Sequence, residues 1–287
     1  MRKWTKSLML LAALFLVTIL AVVYGGFRMF KGAPDWYRHS TLSAADREIL
    51  ARRAFNKFAD IQNAAALVRR DEIASLSRQA TDAAAVPAAS IVVSFSDDEL
   101  NAFFEKWASY ANWKSNYDRY VNDPLIILQD DRLILAGKVK DLDAVVSLEL
   151  DPRIDADGRL NLHLKRILAG RLPLPQMFIG PYKDRLTAHL RQSLPRWRQL
   201  AAIDADGAAN SELISASMAR LFIHTLNHTS ADPILFLPLV ERHANVPVKV
   251  RAVKVEDHTV TMTVLPLDAK ERAALVERIR ADEPAGP

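Results

Sequence analysis

The chain has 287 residues, 50% hydrophobic and 25% charged, with a formal net charge of +4. It contains no cysteine, which excludes disulfides, a thiol nucleophile and any cysteinyl metal site. The mild basicity suits an anionic membrane surface or an acidic polymer. No basic cluster is interleaved with stacking aromatics, so nucleic acid is not an expected partner.

Residues 1–6 carry Arg2, Lys3 and Lys6. Leu8 to Phe27 then reads LMLLAALFLVTILAVVYGGF, without charge or proline. About 20 apolar residues is the length an α-helix needs to cross roughly 30 Å of hydrocarbon, so residues 7–30 are read as a transmembrane anchor. The alternative is a cleaved signal peptide, whose apolar core is usually about 7–15 residues and ends at a small-x-small site. This run is longer and ends in Tyr24-Gly25-Gly26-Phe27, which favours a retained anchor. Arg28, Lys31 and Arg38 follow it, with Asp35 among them, so the Lys/Arg asymmetry is slight. A short basic N-terminus usually stays cytoplasmic, which would put the large domain outside. Trp36 and Tyr37 fit either an aromatic belt at the headgroups or the start of the folded domain.

Residues 31–80 read as a juxtamembrane amphipathic segment. Within Ser40 to Gln79, Leu50, Ala54, Phe58, Ile61, Ala65 and Val68 recur at helical steps, and Arg52, Arg53, Lys57, Arg69 and Arg70 fall largely outside that stripe. Residues 81–90, small and Pro-containing, read as a linker. An α+β domain is expected over 91–280, followed by a disordered tail, 281–287.

Ile91 to Phe95 is a short β-prone run. Ser96 and Glu99 form a capping box that opens a helix carrying Leu100, Phe103, Phe104 and Trp107. From Pro124 to Gly170 the period changes to two, which predicts an antiparallel meander with one buried face and one wetter face. Its strands are Leu125 to Leu128, Arg132 to Val139, a third over 145–150 and a fourth over 160–165. In the third, Val146, Leu148 and Leu150 oppose Val145, Ser147 and Glu149. In the fourth, Leu160, Leu162 and Leu164 oppose Asn161, His163 and Lys165. Asp155-Ala156-Asp157-Gly158 is a hairpin signal between them. Arg171 to Pro175 breaks the sheet. Helices are expected over Pro181 to Leu194 and from Ser211 to about Asn227. Strands follow over Leu235 to Val240, Val248 to Val255 and Thr259 to Leu265, and Asp268 caps a last helix.

Catalytic motifs are missing: there is no GxSxG elbow, Walker loop or GxGxxG fingerprint. His224 and His228 have the spacing of a zinc-protease pair, but lack the intervening Glu and are read as helix C-terminal polar residues. Asp151, Asp155 and Asp157 resemble part of a calcium loop, yet Pro152 intrudes and the downstream Glu is absent, so a hairpin turn is the better reading. Asp97, Asp98 and Glu99 could pair for acid–base work, but a helix N-terminus stabilises such anions anyway. No catalytic residue, metal site or cofactor is expected.

The N-terminal apolar run, FSDDELNAFF (Phe95 to Phe104), the meander and AGRLPLP (Ala169 to Pro175) leading into a helix together resemble the YpmS-like group of bacterial membrane-anchored proteins of unknown function. The likeness covers roughly Ile91 to Leu194. The plan is also similar to extracytoplasmic lipid-binding domains with a helix laid along a curved antiparallel sheet. What the resemblance implies is a non-enzymatic envelope role.

A curved sheet closed by helices can form an apolar groove for an acyl chain or other amphiphile. The expected lining residues are Phe103, Phe104, Trp107, Leu148, Leu162, Leu164 and Met177, although for each taken singly an ordinary core position is the plainer reading. Lys183, Arg185 and Arg191 would meet anionic headgroups, the plainer reading being solvated surface. The expected partners are therefore the membrane and a lipid ligand. The competing expectation is a scaffold that assembles with other envelope proteins.

Overall fold

The computed structural model describes residues 25, 28–38, 41–77, 90–110, 114, 118, 120–174, 180, 184, 220–237, 247–268 and 270–275. The apolar run thus lies outside the described residues apart from Gly25. Among the described residues, no helix is long and apolar enough to cross a membrane. The expected helix Pro181 to Leu194 also lies outside, apart from Asp184.

The fold is α+β, with a curled antiparallel sheet and packed helices. Helix α1 (Ala44–Ser77) starts where Ser43 Oγ accepts the Asp46 N–H at 3.1 Å. It buries Ala51, Ala54, Phe58, Ile61 and Ala65, close to the stripe read from the sequence, whereas Leu50 and Val68 are only half-buried. Strand β1 (Ile91–Ser96) runs directly into helix α2 (Asp97–Tyr110). The capping box forms as expected: Glu99 N–H donates to Ser96 Oγ at 3.1 Å, and Ser96 N–H donates to Glu99 Oε2 at 3.0 Å.

The chain then makes the meander: β2 (Val121–Gln129), β3 (Arg132–Val139), β4 (Ala144–Leu150), and, after a two-residue-strand hairpin of β5 (Arg153–Ile154) and β6 (Leu160–Asn161), β7 (Leu164–Ala169) and β8 (Leu172–Pro173). The sheet order is β2-β3-β4-β7-β8. Pro124 sits in β2 because that strand is at the sheet edge and bulged, with Asp123 at a φ of 52°. Strands β9 (Ile234–Leu235), β10 (Val248–Glu256) and β11 (Thr259–Pro266) complete a second sheet, ordered β1-β11-β10-β9. The last helix is capped as expected, with Glu271 N–H donating to Asp268 Oδ1 at 2.7 Å.

Three expectations for the meander are corrected. Leu160, Leu162 and Leu164 do not share one strand. Asn161 Oδ1 accepts the His163 N–H at 2.7 Å, a local turn that interrupts the ladder, and Leu160 bridges to Ala231 instead. Arg171 to Pro175 does not end the sheet. Gly170 takes a φ of 58°, and the chain doubles back so that Leu172 and Pro173 pair with Ala169 and Leu168. The face carrying Val145, Ser147 and Glu149 is not the wetter one: all three are buried, while Val146 and Leu148 are half-buried. A buried carboxylate needs charge partners, and Glu149 Oε2 has them across the sheet in Arg132 Nη1 at 2.8 Å and Arg166 Nη2 at 2.7 Å.

The main core lies between the helices and the second sheet and reaches the far end of the meander. It includes Phe58, Ile61, Phe95, Phe103, Trp107, Leu128, Val250 and Val264. The two sheets meet along the outer edge of β2, where a bare edge would leave backbone groups unpaired. The side-chain amide of Asn101 accepts from the Ile126 N–H and donates to its C=O, both at 2.7 Å. Farther along the edge, His258 N–H donates to Leu128 C=O at 2.8 Å, and Asp257 Oδ1 accepts the Asp130 N–H at 3.0 Å.

Asn101→Leu keeps the volume and strands both Ile126 groups. The expected loss is about 2–3 kcal/mol, read as a lower urea midpoint with an unchanged denaturant slope.

Candidate functional site

The candidate surface is the half-buried apolar face of the meander. Pairing partners share a face, so the register defines its rows. Ile126, Leu135, Leu148 and Ile167 form one cross-strand row, and Leu128, Leu133, Leu150 and Leu164 form the next. Leu128 and Leu150 are fully buried at the end that joins the core. Leu135, Val146, Leu148 and Ile167 are only partly covered, whereas Gly137 and Ala169, which pair with Val146, are buried. Leu148 and Leu164 therefore lie on one face, and Leu162 is half-buried in the link before β7.

The aromatic candidates sit elsewhere. Phe103 and Trp107 are 4% exposed and belong to the core, with Phe104 packed against it. Phe58 stacks on Phe95 at 4.6 Å between centroids and tilts against Phe103 at 4.9 Å, and Phe104 meets Phe103 and Trp107 edge-on. Such edge-on geometry suits the ring quadrupoles and contributes roughly 0.5–1.5 kcal/mol per pair beyond area burial. Met177, Lys183, Arg185 and Arg191 lie outside the described residues.

Surface hollows among the described residues include two of about 410 and 400 Å³. One runs along α1 beside Ile49, Arg52 and Arg53. The other lies between α1 and β1, flanked by Lys57, Ile61 and Val92.

Of the carboxylates considered for chemistry, Glu99 and Asp97 are engaged by different partners. Glu99, buried, receives Lys57 Nζ at 2.6 Å as well as the Ser96 N–H. Asp97 Oδ2 instead faces His258 Nδ1 at 2.9 Å. Burial and the neighbouring Asp97 charge push the Asp98 carboxyl above its usual range. Asp155 Oδ1 accepts the N–H groups of Asp157 and Arg159 at 3.1 and 2.8 Å, a hairpin turn as expected. His224 Nδ1 is within hydrogen-bonding distance of Thr229 Oγ1, at 2.9 Å, and His228 adopts a φ of 54° beyond the helix end. Among the described residues, no group of three or more His, Asp or Glu side chains is placed to hold a metal ion.

Sequence reasoning missed the base of the meander, where residues 28–38 are stapled to it. Arg171 N–H donates to Met29 C=O at 3.0 Å, and Tyr37 Oη donates to Asp123 C=O at 2.8 Å. Lys31 Nζ reaches Asp143 Oδ2 at 2.9 Å, and Arg171 Nη2 reaches Asp35 Oδ1 at 2.5 Å. Asp143 also meets Lys138 at 2.9 Å, and the two ammonium groups hold its carboxyl down to about 2. Gly170 is required here: a Cβ would strike the Met29 and Phe30 carbonyl oxygens. The one signal in the sequence was that glycine, set just before Arg171 and Pro173.

No family model, no curated protein and no solved structure matches the chain.

Gly170→Ala adds a clash to a left-handed backbone. Residues 28–38 should detach from the meander, exposing Lys31 and Arg38 to faster limited trypsinolysis while the core melts nearly as before. The Asp97 carboxylate holds the His258 imidazole above its ordinary value, first by hydrogen bonding and then by its charge. Its contribution is then complete below the ordinary imidazole value near 6.5 and fades as pH rises through the raised folded value. Thermal melts from acidic to mildly alkaline pH should show that loss in the native chain and a flatter profile in His258→Gln. Screening at this exposed side chain keeps the effect small.

Proposed function

We propose that the chain is a single-pass membrane protein whose large domain lies outside the cytoplasm and holds a lipid or other amphiphile beside the bilayer, without catalysis of its own. The observation that carries this reading is the staple of residues 28–38 onto the base of the meander. The anchor assigned to residues 7–30 overlaps that staple at residues 28–30. The partly covered row of Leu135, Leu148 and Ile167 therefore begins close to the membrane end of the domain. An acyl chain leaving a bilayer would find apolar surface there, continuous with the row of Leu128, Leu133, Leu150 and Leu164. The resemblance to the YpmS-like group points the same way.

The competing reading is an assembly scaffold. It draws on Ile49 and Leu67, which are 57% and 59% exposed on α1. A partner helix laid along α1 would cover them.

A heating experiment separates the two. Purified full-length protein in detergent is melted with and without added phospholipid, and co-purifying lipid is sought by mass spectrometry. A ligand at a hundredfold excess over its Kd stabilises the native state by about 2.7 kcal/mol, or roughly 5–10 °C for a domain of this size. That shift should disappear in Leu148→Glu. Unchanged melting with no bound lipid would leave the scaffold.

A further inference from the structure

Exposed apolar side chains gather at the stapled end of the meander. Among the described residues, Met29, Tyr120 and Leu142 are 46%, 50% and 37% exposed. Backbone bonds tie their neighbourhoods together. Lys140 N–H donates to Tyr120 C=O at 3.0 Å, and Lys31 Nζ reaches the Leu142 C=O at 3.3 Å. Arg171 N–H is bound to Met29 C=O at 3.0 Å. The β3–β4 turn, the entry to β2 and the β7–β8 turn therefore share one end of the domain.

The covalent chain sets how far this end can stand from the membrane. Met29 is the second residue after Phe27, where the apolar run ends. Two residues span at most about 7 Å when extended, and about 3 Å in a helix. The headgroup layer adds about 5–8 Å on each side of the hydrocarbon, the difference between a core of roughly 30 Å and a total of roughly 40–45 Å. Met29 thus lies within that layer or at its outer boundary, and what is bonded to residues 29–31 stays close to it. At the tip Leu142 lies between Asp141 and Asp143. Asp143 is neutralised by Lys31 and Lys138, and Asp141 stands next to Lys140.

We propose that the β3–β4 turn, with Leu142 at its tip and Tyr120 and Met29 beside it, is a membrane-docking edge that enters the headgroup layer of the leaflet from which the anchor emerges. This rests on reading residues 7–30 as a retained anchor. The occupant of the surface is the lipid bilayer itself. Insertion there fixes the tilt of the meander, so that β3 and β4 rise from the bilayer and carry the apolar row away from it. A tyrosine and a leucine with Lys31, Lys138 and Lys140 close by suit a boundary where one end is apolar and the other wet.

The absence of cysteine makes the test direct. Leu142→Cys, Tyr120→Cys and, as a control on another surface, Val92→Cys are labelled with an environment-sensitive fluorophore in the full-length chain. Each is reconstituted into vesicles of phosphatidylcholine and phosphatidylglycerol, and circular dichroism confirms the fold. Nitroxide-bearing lipid should quench the probes at 142 and 120 several-fold more than the probe at 92, and aqueous iodide should show the reverse order. Equal quenching at all three positions in protein that floats with the vesicles overturns the docking edge and leaves the anchor standing. Protein that fails to float, or is released by alkaline carbonate, overturns the anchor and the docking edge with it.

Discussion

The structure depends on closing the outer edge of β2. A five-stranded meander ending there would present unpaired N–H and C=O groups to solvent or to another chain. Asn101 closes it with both halves of its amide, and the β10–β11 turn closes it through the His258 N–H and the Asp257 carboxylate. The same contacts join the meander to the helices and the second sheet. Asn101 is positioned by α2, which is positioned in turn by the Ser96–Glu99 capping box and by the ion pair of Glu99 with Lys57 of α1. A chain of local polar contacts thus sets how two apolar surfaces face each other.

Between those surfaces, packing supplies most of the stabilisation, and the polar groups supply direction. Phe58, Phe95 and Phe103 would bury in many arrangements, because hydrophobic burial is not directional. Glu99 and Glu149 restrict the choice. Each buried carboxylate has its cations on defined neighbouring elements, Lys57 for one and Arg132 with Arg166 for the other. Misplacing either would leave a charge unpaired at a cost of several kcal/mol.

The other end of the meander is organised differently. There the contacts are mostly exposed ion pairs and backbone hydrogen bonds from residues 28–38, individually weak. Their effect is to make the segment leaving the apolar run part of the sheet's base instead of a free tether. The apolar face, with its partly covered row of Leu135, Leu148 and Ile167, is thereby given a fixed relation to residue 29. That relation underlies both the proposed amphiphile site and the proposed docking edge.

Local signals were legible in the sequence because they act over a few residues. The Ser96 capping box, the Asp155–Gly158 turn, the Asp268 cap and the α1 stripe each rest on contacts within one or two turns of chain, and each formed. The positions of the expected lining residues were only partly legible. Alternation placed Leu148 and Leu164 on one face, but nothing local distinguishes a lining aromatic from Phe103 and Trp107 in a filled core. Alternation also misjudged which face of β4 is more buried, since Glu149 reads as wet until Arg132 and Arg166 are brought beside it. By itself the sequence determined the class, α+β with an antiparallel meander, and the apolar run that precedes it. Only the tertiary structure decided that β1 pairs with β11, that Asn101 closes β2, and that Gly170 receives the backbone of residues 29 and 30. Those contacts join segments far apart in the chain, and their free energy comes from complementary surfaces that exist only once both partners are folded.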